Sequence, residues 1–414
     1  MLRILPLHEA QSFITRKTVR LAEAEQIVAP ILEAVRKHGD RAVLEYARTL
    51  DGLEGDSLMV PAADWHAAES RVSPEFHAAI EVAAANIREY ATLQLPRDSS
   101  VEFSDGRRLG SVVRPLDSMG AYIPAGRYPL PSTLLMTVIP AQVAVVRTIC
   151  VTSPHPSAEI LAAAKFLGVE NIFRIGGAQA IAALAFGTAT VPKVDRIVGP
   201  GNIYVAAAKK LLAGEVGIDF VAGPTEIVII AEEGDPRYIA ADMLAQAEHD
   251  VEASSILLTT SRSLAERVVE EVARQLETLS TAPVACQALR NNSAVILCPS
   301  MDAAVEASNR LAPEHLAIYD SGLLPKIRHA GSIFVGASSP EAAGDYATGP
   351  NHVLPTSGAA RVRGGLSSAD FVKVISVQEL TPAALRQLAP VITTLARAEG
   401  LEAHARSVEV RLGR

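Results

Sequence analysis

The sequence predicts an α/β protein made of two doubly wound lobes, each a parallel sheet covered by helices. Three observations carry this expectation. The chain has 414 residues, more than a single hydrophobic core usually organises. Its 49% apolar and 20% charged residues can fill substantial cores, so disorder does not dominate. Two long stretches alternate short β-branched runs with segments of helical period, the pattern of strand–helix–strand units.

In the first stretch, residues 147–151, 171–175, 195–198 and 218–221 read as strands, with helices at 178–186 and 203–212. In the second, the strand role falls to 226–231, 255–259, 294–298, 315–319 and 332–335. Ahead of both, 23–50 and 74–90 read as helices, followed by a hairpin turning at Ser104-Asp105-Gly106. These N-terminal helices are placed against the second stretch. Residues 337–370 form a long connection rich in Gly, Pro and Ser, uncommon in a compact domain unless the loop has a function. The helical segment 382–410 has little core of its own. The expected division is an N-terminal segment 1–20, one lobe from 21–116 and 225–370, a second lobe from 117–224, and a tail 371–414.

The 38 basic and 46 acidic residues give a net charge of −8 with no long run of one sign, which disfavours binding to nucleic acid or other polyanions. The most apolar window, residues 134–146, is interrupted by Pro140 and Gln142, so no membrane span is expected and the chain reads as cytoplasmic. Cys150, Cys286 and Cys298 are far apart and lie in or beside apolar stretches, and they read as reduced core residues.

Three polar constellations can carry chemistry. Asp235-Pro236 is a helix start, and the helix that follows places Gln246 and His249 on one face beside Ile239, Met243 and Ala247. The two can share a metal, although isolated Gln-x-x-His spacing also occurs on solvated helix faces. Leu311-Ala-Pro-Glu314-His315 sets a carboxylate and an imidazole where a helix hands over to a strand. There the histidine can exchange a proton and the glutamate can activate water, or the two can be a helix-end coincidence. The long loop offers Asp345 and His352, suited to a metal or a substrate, or to an Asx-turn and a surface histidine. Two glycine turns, Gly176-Gly-Ala-Gln and Gly199-Pro-Gly-Asn, can bring backbone N–H groups to a phosphate. Neither is a G-x-G-x-x-G fingerprint, and tight packing explains them equally well.

Taken in order, Gly120-Ala-Tyr-Ile-Pro, Gly176-Gly-Ala-Gln-Ala-Ile-Ala-Ala-Leu-Ala-Phe-Gly, Val191-Pro-Lys-Val-Asp, Gly199-Pro-Gly-Asn, Ala222-Gly-Pro-Thr-Glu, Ala245-Gln-Ala-Glu-His, Leu311-Ala-Pro-Glu-His, the 345–356 loop and Glu399-Gly-Leu-Glu-Ala-His404 resemble the histidinol dehydrogenase family. The resemblance implies two Rossmann-like lobes with small terminal pieces, the C-terminal one crossing to a partner subunit in a homodimer. It implies NAD-dependent, zinc-requiring oxidation of L-histidinol through L-histidinal to L-histidine, the closing steps of histidine biosynthesis. It further implies one zinc per subunit, held by Gln246, His249 and Asp345 of one chain and His404 of the other. His315 would be the base of the alcohol step, and Glu314 would activate the water that attacks the aldehyde. Thr225, His352 and Glu399 would join the zinc ligands and His315 in contacting substrate. Tyr122, Gln179 and Asn202 would touch NAD.

Some positions depart from the family pattern. Thr225 stands where serine is common, Ala125 in Ile123-Pro-Ala-Gly-Arg where a second glycine is frequent, and Phe371-Val-Lys-Val-Ile-Ser lacks a Lys-Arg pair. Competing readings are a related zinc and NAD dehydrogenase acting on another alcohol such as a dihydroxy-sulfonate, a zinc hydrolase that uses no nucleotide, and a non-catalytic assembly protein with a structural metal. Glu399, a partner for imidazole, weighs against the sulfonate.

Overall fold

The computed structural model describes residues 2–14, 21–125, 128–221 and 223–413. Gly126, Arg127 and Ala222 of the motifs above, and residues 15–20 of the expected N-terminal segment, lie outside the described residues. The chain divides into two units, Met1–Gln94 with Leu116–Phe371, and Leu95–Pro115 with Val372–Arg414.

The larger unit opens with strand β1 (Arg3–Pro6) and continues into helices Leu21–His38, Asp40–Leu50, Ala62–Glu69 and Pro74–Gln94. The hairpin β2 (Ser99–Glu102) and β3 (Arg107–Pro115) belongs to the smaller unit and turns at the expected Ser104-Asp105-Gly106. Back in the larger unit, β4 (Ser118–Tyr122), β5 (Thr148–Thr152), β6 (Asn171–Phe173), β7 (Arg196–Val198) and β8 (Gly217–Ile218) form a parallel sheet in the order β6-β5-β4-β7-β8. Next, β9 (Glu226–Ile230), β10 (Ser254–Thr259), β11 (Ala294–Leu297), β12 (His315–Ile318) and β13 (Ser332–Val335) join β1 in a second parallel sheet, β1-β11-β10-β9-β12-β13. The chain ends in the smaller unit with β14 (Val372–Leu380), antiparallel to β3, and helices Pro382–Ala398 and Glu402–Val410.

Both faces of the six-stranded sheet are covered, and the period-2 alternation of its strands sorts side chains between two cores. Ile227, Ile229, Leu257 and Ala317 pack with Ile239, Met243, Leu264 and Val268 on one face. Val228, Ile230, Leu258 and Leu316 pack with Ala304, Val305 and Leu311 on the other. Fully buried strands of this kind read as near-continuous apolar runs, which is why the sequence exposes them.

Four expectations need correction. The N-terminal helices cover the five-stranded sheet, not the six-stranded one: Leu21, Val28, Val35 and Val43 share a core with Ile181, Leu184, Val205 and Leu212. An amphipathic stripe marks the face that will be buried but not the sheet that buries it. Residues 23–50 form two helices, because Gly39 takes a φ of +52° between them. The 337–370 connection is not wholly irregular; it contains the helix Glu341–Tyr346. Cys150 and Cys298 are buried and unpaired, but Cys286 is exposed on the helix Ala282–Asn292. Among the described residues, no helix is long and apolar enough to cross a membrane.

Candidate active site

The two parallel sheets share one topology. Leaving aside β1, which adds an edge beside β11, each has a strand from which the chain winds out in one direction, two strands deep, then returns to continue on the other side. The switch falls between β4 and β7 in one sheet and between β9 and β12 in the other. Crevices of open α/β sheets form at such switch points, outside the C-terminal ends of the strands. In the five-stranded sheet the rule holds: Tyr122 ends β4, and Gly199 follows β7. Gly199 has a φ of +111°, and a Cβ there would lie 2.2 Å from the Tyr122 carbonyl oxygen, so only glycine fits. In the six-stranded sheet the polar residues gather at the opposite edge. Thr225 precedes β9, Glu314 precedes β12, and His315 begins β12 in register with Ile227.

Glu314 and His315 follow the helix Met301–Leu311, which is closed by Ala312 in the left-handed conformation and by Pro313. Both side chains are buried, with 7% and 4% of their surface exposed. Glu314 Oε2 accepts hydrogen bonds from the Thr225 hydroxyl at 2.5 Å and the Glu226 N–H at 2.9 Å. Burial outweighs these two bonds and pushes the Glu314 pKa up to about 8. Desolvation drives His315 the other way, down to about 3, opposed by a nearby Glu226 carbonyl. His315 Nδ1 lies 3.4 Å from Glu341 Oε1 and 3.7 Å from Glu314 Oε2, and its Nε2 lies 3.8 Å from Asp345 Oδ1.

The helix Pro236–Ala247, capped by the Asp235 side chain with Pro236 in its first turn, ends beside this pair. Gln246 is fully buried; its Nε2 donates to Thr225 Oγ1 at 2.7 Å, and its Oε1 has no hydrogen-bond partner. Ligand atoms of His249, Glu341 and Asp345 all lie within 4.8 Å of one another, a spacing that can hold a metal ion. His249 keeps surface open to the cleft, yet enough protein surrounds its ring for desolvation to hold its pKa below the ordinary value. Desolvation raises Asp345 to about 6. His352 Nδ1 donates to the Asp345 carbonyl at 2.9 Å, which leaves Nε2 to accept from the Thr133 hydroxyl at 3.3 Å. Thr225, His249, Glu314, His315, Asp345 and His352 line a cavity of about 200 Å³ together with Leu130, Pro200 and Phe220.

A second cavity, of about 530 Å³, gathers Tyr122, Gln179 and Asn202 at the C-terminal edge of the five-stranded sheet. Tyr122 Oη accepts from the Gly177 N–H at 3.2 Å. Asn202 caps the helix Ile203–Leu212, accepting from the N–H groups of Tyr204 and Val205. Gln179 is buried, with Nε2 on Asp51 Oδ2 at 2.9 Å and Oε1 unpartnered. Asp51 also accepts from the Gly176 N–H at 2.9 Å, and burial raises its pKa.

The remaining two predicted residues belong to the smaller unit. Glu399 closes the helix Pro382–Ala398, His404 lies on Glu402–Val410, and both are exposed. The structure adds residues that sequence reasoning missed. Glu341 sits four positions before Asp345 on one short helix, a spacing that shares a face and could have drawn attention to it. Asp51, Thr133 and the buried Lys209–Asp219 pair left no local signal, since each acts through a partner distant in the chain. Lys209 Nζ donates to the Gly199 carbonyl at 2.6 Å and to Asp219 Oδ1 at 2.7 Å, while Asp219 Oδ2 accepts from the Gly199 N–H at 2.8 Å.

Two parallel sheets, a buried acid–base pair and a glycine-lined crevice define an α/β enzyme of the dehydrogenase type. Comparison with known proteins gives the family. The sequence pattern of "Histidinol dehydrogenase" matches residues 14–412. A histidinol dehydrogenase from Geobacter metallireducens is 49% identical over 401 residues, covering 94% of this chain and 92% of that protein. One from Geobacillus kaustophilus is 48% identical over 408 residues, covering 96% of each. The solved histidinol dehydrogenase of Elizabethkingia anophelis superposes with a TM-score of 0.96 at 37% identity, covering 100% of this chain and 98% of that one. An acetylating aldehyde dehydrogenase from Geobacillus thermoglucosidasius shares the fold alone, with a TM-score of 0.50 at 14% identity, covering 90% of this chain and 94% of that one. The chain belongs to the histidinol dehydrogenase family, and it is an oxidoreductase of histidine biosynthesis.

Proposed function

We propose that the chain acts as a zinc-requiring homodimer in the cytoplasm, carrying L-histidinol through L-histidinal to L-histidine with two NAD reduced. The observation that carries this reading is the buried pair Glu314 and His315 beside a polar cluster with an unfilled demand. Gln246 Oε1 is fully buried without a hydrogen-bond partner, next to His249 and Asp345. An amide oxygen left bare in this way costs about 1–3 kcal/mol unless it meets a hydrogen-bond donor or a cation. Nitrogen and oxygen donors without thiolate suit zinc in an open, catalytic site. The residues present therefore fit the ion. Gln246, His249 and Asp345 would hold it, with His404 of the partner subunit completing the set.

Bound zinc supplies a Lewis acid that grips the substrate, and bound NAD supplies the hydride acceptor. The protein's own groups do the rest. His315, neutral in its buried site, takes the hydroxyl proton of histidinol as the carbinol C–H bond breaks and its hydride departs, which leaves the aldehyde. Glu314 then removes a proton from water as the water oxygen bonds to the aldehyde carbon. The resulting hydrate monoanion loses a second hydride, to NAD, and its remaining hydroxyl proton to give the carboxylate. Burial lifts the Glu314 pKa to about 8, so its ionised carboxylate is a stronger base than an exposed one. Thr225, bonded to both Glu314 and Gln246, ties the water-activating group to the metal side of the cleft. His352 would contact the substrate, and Glu399 of the partner subunit would pair with its imidazole. Tyr122, Gln179 and Asn202 would line the nucleotide.

The test is NADH formation from L-histidinol with zinc supplied. Two NADH per substrate are expected. One NADH per substrate, or turnover that ignores NAD, would contradict the reading; the second outcome would point to a hydrolase.

A further inference from the structure

We propose that Glu341 is the positioning residue for His315, accepting a hydrogen bond from its Nδ1–H so that Nε2 is the nitrogen left to receive the substrate proton. This rests on His315 being the base of the alcohol step. Glu341 is 2% exposed, and neither of its carboxylate oxygens has a hydrogen-bond partner. Both ring nitrogens of His315 are likewise buried and lack a hydrogen bond of ordinary geometry, with the Glu226 backbone close to the ring. Buried orphans cost about 1–3 kcal/mol each, and here an imidazole nitrogen and a carboxyl oxygen lie 3.4 Å apart. A small closure satisfies both.

The competing carboxylate is already committed. Glu314 Oε2, at 3.7 Å from Nδ1, accepts from Thr225 and from the Glu226 N–H. Glu341 has both oxygens free. The ring is also held in place sterically. It lies against Phe334, with centroids 6.0 Å apart, and Phe334 in turn fills the space left by Gly344, where a Cβ would be 2.6 Å from Phe334 Cε1. Glu341, Gly344 and Asp345 belong to the one short helix Glu341–Tyr346, so a single element supplies the partner of Nδ1, the seat of the ring and the carboxylate nearest Nε2.

In the alcohol step the substrate O–H bond breaks and a new N–H bond forms at Nε2, while the C–H electron pair leaves as hydride to NAD. Glu341 gains no proton. It balances the charge of the imidazolium, as the third member of an acid–base triad does. The alternative role is that of a metal ligand, since Glu341 lies within reach of His249 and Asp345.

The two roles separate in a double-mutant cycle read together with zinc content. For Glu341→Gln we expect full zinc occupancy, a KM for histidinol within about threefold of the unsubstituted enzyme, and kcat lower by about 10²–10⁴, as when an orienting carboxylate is neutralised. Glu341→Asp should recover part of that loss. In a His315→Asn background, Glu341→Gln should have no further effect, because a residue acting through another loses nothing once that partner is gone. Loss of zinc in Glu341→Gln, an unchanged kcat, or additive losses in the double variant would overturn the inference. Full activity in His315→Asn alone would remove the base reading, and this inference with it.

Discussion

The two parallel sheets of the larger unit share one winding order and use opposite edges. The five-stranded sheet presents Tyr122 and the turns after β6 and β7 at its C-terminal edge. The six-stranded sheet presents Thr225, Glu314 and His315 at its N-terminal edge. The edges differ in their electrostatics. Helices that follow strands begin at the C-terminal edge, where their free N–H groups suit anions: the helices Gly177–Phe186 and Ile203–Leu212 start there. At the N-terminal edge such helices end, and their carbonyls favour cations. The helix Pro236–Ala247 ends there, carrying Gln246 and leading to His249. The same fold thus offers a rim that favours anions on one lobe and a rim that favours cations on the other, the arrangement the proposed nucleotide and metal would need.

This comparison can be broken by substitutions that should affect one rim and spare the other. The largest effect is expected from His315→Asn. Loss of a general base should lower kcat by about 10²–10⁴, while NADH affinity, measured by fluorescence titration, stays within about twofold; a loss of NADH binding would erase the distinction between rims. Lys209→Met should come next. It leaves Asp219 charged, buried and unpaired, at a cost of about 3–5 kcal/mol, visible as a lower Tm; the Gly199 turn loosens with it, so NADH affinity should fall while zinc content is retained. Gly199→Ala forces a side chain into a positive φ and against the Tyr122 carbonyl, a strain of about 1–3 kcal/mol. The KM for NAD should rise and that for histidinol should not. The smallest effect should be that of Asp51→Asn. Weakening the bond that orients Gln179 should reduce NADH affinity by a factor of about five, equivalent to about 1 kcal/mol, and an unchanged affinity would separate Asp51 from the nucleotide rim.

Much of this arrangement was legible in the sequence because it is written in local patterns. Buried strands such as Glu226–Ile230 are apolar runs bounded by turn residues, and the helix Ile203–Leu212 shows its period and its Asn202 cap. Gln246 and His249 lie three residues apart, and Glu314 and His315 are adjacent, so their proximity needs no tertiary information. β4 escaped notice because Ser-Met-Gly-Ala-Tyr contains no β-branched residue, although it is the central strand of its sheet. Glu341 and Asp51 escaped because a lone acid reads as surface until packing buries it. The destination of the N-terminal helices was invisible for a related reason: a stripe complementary to one helical layer is nearly as complementary to another.

The central claim is that adjacent residues at one rim serve two chemically different steps, His315 the alcohol and Glu314 the water. The most direct test is to count NADH formed per L-histidinol by Glu314→Gln with excess NAD and zinc. The account predicts one NADH, with the aldehyde accumulating, because the alcohol step still has its base while hydration does not. Two NADH, or none, would contradict it.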